Sequence, residues 1–276
     1  MNNTLENKTF YFMGGLPRSG STLLTAILNQ HPKVYASPSS NLLDMYFALH
    51  HGIYDSEPYK MGLRQKECDN TLQSLGNLFY SNIKKPVIID KNRHWGTPGN
   101  IPAQQMFNKN PKTIFILRPI LEVLSSFVKL AEKNPNNYID HAIANEDFFV
   151  KYYREVNDVR CEWLMKPENS IGRSLLAIGS SLKNPKNNLF IWYADLITNP
   201  QIVLNKIHQF IGVNSFEYNF ENIKQLDKHI DYEGIKDLHT IQSKIHSNKT
   251  QPKLILSDYI INKYGNALDF VFTEGV

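Results

Sequence analysis

A chain of 276 residues with 42% hydrophobic and 12% aromatic content has enough apolar surface for a well-buried core and no signature of a disordered tail. Its formal net charge of +4 excludes a nucleic-acid-coating protein and suits a small, multiply charged anionic ligand. The first residues lack the basic, apolar, small order of a secretory leader, and the longest apolar runs, such as "TIFIL", are far too short to span a membrane. Cys68 and Cys161 form neither a CxxC pair nor a disulfide framework, so a reducing, cytoplasmic setting is the expectation.

In chain order, "TFYFMGG" (Thr9–Gly15) is an apolar run closed by glycines and predicts a buried strand. From Ser19 onward, Leu23, Leu24, Ile27 and Leu28 recur at helical spacing, and the helix is expected to stop before Pro32. Helical patterns follow over Asn41–His50 and Thr71–Ile83, then a strand over Pro86–Asp90. A further strand is predicted over Lys112–Arg118, helices over Leu121–Ala131 and Glu146–Leu164, a strand over Asn188–Tyr193 and a helix over Pro200–Ile211. The strands are β-branched or aromatic without alternation, as parallel strands covered on both faces are. The expected fold is therefore α/β: a P-loop-type three-layer domain whose central, mainly parallel sheet is flanked by helices. No linker or repeat divides residues 1–276, so one domain is expected, with a polar helical or loop excursion around 212–250 that covers the active site.

Gly14 to Ser19 is thus a strand-to-helix turn. A helix N-terminus leaves its first backbone N–H groups without partners and carries partial positive charge, which makes it an anion site. Gly15, Pro17, Arg18, Ser19, Gly20, Ser21 and Thr22 add two flexible glycines, a stiff entry, three hydroxyls and a planar cation suited to tetrahedral oxyanions. The spacing matches a triphosphate loop of the form G-x-x-x-x-G-K-S/T, except that Ser21 stands in the lysine's place. That exchange argues against a grip on β- and γ-phosphates.

"GLPRSGSTLLTAILNQHP" resembles the 5′-phosphosulfate loop of the sulfotransferase family, and is especially similar to the bacterial and tyrosylprotein branches, which read P-R-S-G-S/T-T-L. A second segment agrees: "FILRPILEVLSSF" supplies Arg118 at a strand end and Ser126 eight residues on, the pair that the resemblance assigns to a 3′-phosphate. The usual R-D-P-R opening is altered to Arg118-Pro119-Ile120-Leu121, with Glu122 keeping an acidic position. "FIWYADLITNPQIVLNKIHQFIGV" is similar to the family's Y-E-D-L segment, where Tyr193 lies near the adenine, although Ala194 replaces the glutamate. "DLHTIQSKI" resembles the downstream basic segment that closes over the nucleotide, with Lys244 as its cation. The resemblance implies 3′-phosphoadenosine 5′-phosphosulfate (PAPS) as donor, adenosine 3′,5′-bisphosphate as product, no required metal, and transfer to a hydroxyl or amine of a small-molecule or biomolecular acceptor.

In such a transfer the protein positions the reactants, stabilises developing charge and supplies a base. Arg18 suits the leaving phosphate oxygen, and Lys91, just past the "VIID" strand, resembles the D-K segment of bacterial relatives. The glutamate of the tyrosylprotein branch has no counterpart, because Ser39 of "YASPSSN" occupies its position. His94, one residue later than the histidine of the cytosolic branch, Asp44 and Asp90 stand as alternative bases, and Asp90 is also a possible buried partner of Lys91 or Arg93. Tyr46, Phe47 and Trp95 are core residues or the wall of an apolar acceptor pocket. His50, His51, His229, His239 and His246 do not have metal-ligand spacing. Two other readings stay open: a P-loop nucleotide kinase or NTPase in which Asp90 holds magnesium, and a nucleotide-binding scaffold without catalysis. Neither the acceptor nor an oligomeric state is written in the sequence, and no nucleic-acid partner is expected.

Overall fold

A computed structural model describes residues 7–146, 155–225, 234–246 and 251–269. Five strands form one sheet in the order β2-β3-β1-β4-β5, and every pairing is parallel. They are β1 (Thr9–Gly15), β2 (Val34–Ala36), β3 (Val87–Lys91), β4 (Thr113–Leu117) and β5 (Asn188–Trp192). Parallel neighbours need crossover connections, and the helices that supply them cover both faces of the sheet.

Alternation along each strand decides which layer a residue enters. Met13, Ile89, Ile114, Ile116 and Ile191 pack on one face against Leu24, Ile27 and Leu28 of α1 (Ser21–Leu28) and against the helix Pro200–Ile211. Phe10, Phe12 and Ile88 face the other way, onto Leu42 and Leu43 of α2 (Leu42–Tyr54), Leu72 of the helix Gln65–Phe79, and Trp95. Beside them, Phe115 and Leu117 meet the helices Ile120–Lys133, Val156–Met165 and Ser170–Leu182. Phe12 and Trp95 are fully buried with ring centroids 4.5 Å apart, so the β1 strand that carries the glycine turn is clamped from both sides.

Four strands and the helix Pro200–Ile211 lie where the periodicity places them. Where a helix is expected over Glu146–Leu164, the described residues form Tyr138–Glu146 and Val156–Met165, and 147–154 lie outside them. The helix expected over Thr71–Ile83 begins earlier and ends sooner, at Gln65–Phe79. In the 212–250 stretch the described residues after Gly212 form no helix; 214–219 bond to Gln30, His31 and Gln201, 238–246 run past the cavity, and 226–233 and 247–250 lie outside the description. No helix among the described residues is long and apolar enough to cross a membrane.

Behind α1, two buried histidines, His31 and His208, pack with ring centroids 5.4 Å apart. Lys33 N donates to His31 Nδ1 (3.1 Å), so the His31 proton sits on Nε2 and reaches Asn214 O (3.2 Å). His208 Nε2 meets Tyr218 Oη at 2.7 Å, while its Nδ1 has no partner among the described residues. Burial lowers both pKa values; Lys85 and Lys33 add to the effect at His31, and His31 adds to it at His208. The unfolded chain then binds protons that the folded chain refuses, and stability is lost as pH falls through the free-histidine value of about 6.5. The urea midpoint is expected to drop as pH falls below about 6.5, with a shallower drop in His208→Gln. An unchanged slope in that variant would remove His208 from the account.

Candidate active site

The site begins where β1 stops. Gly15 has φ +116°, and a Cβ there would stand 2.5 Å from Ile116 O and 2.6 Å from Ile116 N, so only glycine lets β1 turn away beside β4. Leu16 N donates to Ile116 O (3.1 Å), and fully buried Ser19 turns its Oγ back to Leu16 O (2.5 Å). Ser19 therefore fastens the loop from within; it does not line the cavity. Gly20 caps α1 at φ +90°, and its missing Cβ leaves room for the Tyr193 ring, whose Cδ2 would lie 2.6 Å away. The first intrahelical bond is Leu24 N to Gly20 O, so the N–H groups of Ser21, Thr22 and Leu23 have no acceptor within the helix. Gly20, Ser21, Thr22 and Leu23 open onto a cavity of about 830 Å³, together with Gly15, Pro17 and Arg18.

On the β4 side the second motif meets the loop. Arg118, 8% exposed, donates from Nη1 to Arg18 O (2.8 Å) and from Nε to Glu122 Oε2 (2.9 Å), and its guanidinium lies 4.7 Å from the centre of the Tyr193 ring. Glu122, one helical turn on, thus orients Arg118 where the usual aspartate is missing. Arg18, held left-handed at φ +58°, donates from Nε to Ser126 Oγ (3.0 Å) and from Nη1 to Leu238 O of the covering loop. Burial and then the Arg118 charge lower its pKa. The structure brings Arg18, Arg118, Ser126 and Tyr193 together on the wall of one cavity. Lys244 also lines the cavity and pairs with Glu221 at 2.5 Å.

The β3 side separates the other candidates. Lys91 ends the strand, its N–H held by Ser37 Oγ (2.8 Å), and its half-buried side chain lines the cavity. Burial, reinforced by Arg93, pushes its pKa down to about 7. Asp90 points to the opposite face and is fully buried, accepting from Tyr80 Oη and from Trp95 Nε1 (2.7 Å). Its partners are these two rings and Ser40, not Lys91 or Arg93. His94 lies in the 3-10 turn Arg93–Gly96, whose Asn92 cap accepts from His94 N (3.0 Å); burial, Arg173 and Arg93 lower its pKa. Neither His94 nor exposed Asp44 lines the cavity. Trp95 and Tyr46 are core, packed in the layer with Phe12.

Three further cations line the wall that the sequence did not place there: Arg93 (named above only as a partner for Asp90), Lys129 and Lys133. The last two follow Ser126 at i+3 and i+7 and so share its helix face, a spacing that reading for a phosphate clamp alone overlooks. With Arg18, Lys91, Arg118 and Lys244 they make seven Lys and Arg residues, joined by His239 and His246, while no Asp or Glu lines the cavity among the described residues. A concave wall of one sign focuses potential and draws anions. No group of three or more His, Cys, Asp or Glu among the described residues is arranged to hold a metal.

Residues 11–217 match the sequence model of the Sulfotransferase family. The chain is 26% identical over 210 residues to protein-tyrosine sulfotransferase 2 of Gallus gallus, covering 74% of this chain and 51% of that protein. It is 23% identical over 208 residues to a putative protein-tyrosine sulfotransferase of Caenorhabditis briggsae, covering 73% and 65%. It therefore spans only about half to two thirds of the length of these curated relatives. Its fold is similar to the sulfotransferase domain from the curacin biosynthetic pathway, with TM-score 0.53, 19% identity and coverage of 95% of this chain and 90% of that one. A similar likeness, TM-score 0.50 at 17% identity over 100% and 98% of the two chains, holds for the sulfotransferase domain of the Synechococcus PCC 7002 olefin synthase. With its glycine turn, its arginine–serine wall and three quarters of its length matched, the chain belongs to the sulfotransferase family.

Proposed function

We propose that the chain transfers a sulfuryl group from PAPS to a hydroxyl or amine acceptor by in-line displacement. The observation that carries this reading is the cation-lined cavity, with a helix N-terminus and Arg18 at its centre and Arg118 with Ser126 on its β4 side. The curated relatives are named as tyrosine sulfotransferases, and retinol dehydratase, similar in fold at TM-score 0.50 and 13% identity over 97% of this chain and 81% of that one, is solved with PAP. When bound, the nucleotide supplies the sulfuryl group, which leaves from the 5′-phosphate. The α1 N–H groups, Ser21, Thr22 and Arg18 hold that 5′ end, and Arg118 with Ser126 holds the 3′-phosphate. Tyr193, stacked on Arg118, flanks the base. Arg18 stabilises charge that builds on the departing oxygens, and Lys91 lines the cavity beside the loop.

The kinase reading needs a carboxylate at the cavity, and Asp90 is sealed behind the sheet by Tyr80 and Trp95. We further infer that residues 1–276 fold as one unit in a reducing, cytoplasmic setting. Cys68 and Cys161 are unpaired, and Leu238 to Lys244 form a cover over the donor. Calorimetric titration tests the donor: adenosine 3′,5′-bisphosphate should bind without magnesium while magnesium-ATP gives no heat. The reverse pattern would overturn the proposal.

A further inference from the structure

Transfer to a hydroxyl releases a proton, and the cavity wall limits where that proton can go; this inference rests on the sulfotransferase reading. Arg118 follows β4, the loop follows β1, and Lys91 ends β3, on the opposite side of β1. Lys91 pairs in register with Met13, on a neighbouring strand about 4.8 Å away, next to the loop's entry. With the 3′-phosphate clamp on the β4 side, the acceptor's side of the cavity is the β3 and β2 side. Its wall there is Pro38, Ser39, Lys91 and Arg93. Proline has no basic group, a serine hydroxyl is not a base near neutrality, and a guanidinium does not deprotonate. Asp44, Asp90 and His94 are outside the cavity. His239 follows Leu238, which meets Arg18 on the Ser126 side, and His246 bears on Glu221 beside Lys244, so neither histidine of the cover belongs to the β3 wall. We propose that Lys91 Nζ is the group that takes the acceptor's proton.

The surroundings favour an uncharged amine. Arg93 adjoins Lys91 in the chain; Arg18 and Arg118 face the same cavity from the loop and β4, and His239 and His246 from the cover. Among the described residues no carboxylate pairs with Lys91, and Asp44 bears on His94 and Asp90 instead. A pKa near 7 leaves much of the amine unprotonated at neutral pH. In the step, the acceptor oxygen forms its bond to sulfur while the bond from sulfur to the 5′-phosphate oxygen breaks. That electron pair stays on the phosphate, and the acceptor's proton moves to Nζ, which later returns it to water.

The ε-group NMR signals of Lys91, assigned by their loss in Lys91→Arg, are followed against pH in the free protein and with adenosine 3′,5′-bisphosphate. The expected midpoint is near neutrality in the free protein and still below about 9 in the complex, against an ordinary lysine value of about 10.4. A Lys91 that stays an ammonium through that range with nucleotide bound overturns the proposal. Transfer rates to ring-substituted phenols whose pKa values bracket the assay pH give a second readout. Lys91→Arg keeps a long basic side chain but cannot give up its proton, so it should lose on the order of 100-fold with the least acidic phenol and little with the most acidic. A uniform loss across the series, or full activity, overturns it too. Failure of the unaltered protein to bind the bisphosphate defeats the sulfotransferase reading itself, whereas normal binding with Lys91 fixed as an ammonium removes only the base.

Discussion

Arg118→Ala should weaken adenosine 3′,5′-bisphosphate by about 30- to 100-fold, the cost of a charge-assisted contact, while adenosine 5′-phosphate loses far less. The distinction matters because Arg118 has two structural duties already, holding Arg18 O and stacking on Tyr193. Loss of those contacts alone would loosen the loop and weaken both nucleotides alike. Titration of the two nucleotides against the variant separates the roles, and equal losses would count against a 3′-phosphate clamp. Glu122→Gln offers a gentler probe, since it leaves the arginine in place and removes the carboxylate that orients it.

Gly15→Ala should prevent stable folding, with the urea midpoint lost or greatly reduced. The new Cβ would press on the Ile116 backbone from 2.5 Å, and that backbone is paired in the middle of the sheet. The left-handed φ adds roughly 1–2 kcal/mol, and the clash is relieved only by parting β1 from β4. Gly20→Ala makes an instructive contrast. Its clash is with the Tyr193 ring, a side chain that can swing aside, so the fold should survive while nucleotide affinity falls. A Gly15→Ala protein with an unchanged urea midpoint would show that β1 can turn without its glycine.

Local features were legible in the sequence, and features made by distant chain segments were not. β1, β3, β4 and β5 announce themselves as unbroken apolar runs, but β2 is three residues long and too short to carry a pattern. The helix Ser170–Leu182 escaped because its buried face includes Gly172, Ser174, Ala177 and Ser181, small residues that mask helical periodicity. Arg118 and Ser126 could be paired because both lie within nine consecutive residues of one strand–helix unit. The choice of base could not be made that way. Lys91 and His94 are three residues apart, and only the 3-10 turn after β3 shows that one side chain enters the cavity and the other does not. Likewise, Leu238 O meets Arg18 across 220 residues.

The carboxylate-free wall also bears on how long the protein lasts without its nucleotide. Seven cations on one wall repel one another, although Glu122 and Glu221 offset two of them, Arg118 and Lys244, so part of the folding free energy is spent holding them together. An anion that binds only the folded chain relieves this repulsion and adds stability that grows with the logarithm of its concentration. Neutralising a peripheral member such as Lys129 would make the empty protein sturdier and the filled one a poorer binder, a trade between durability and affinity set by electrostatics. On the proposed reading the nucleotide is then a folding partner as well as a donor, and its depletion would reach the abundance of the protein.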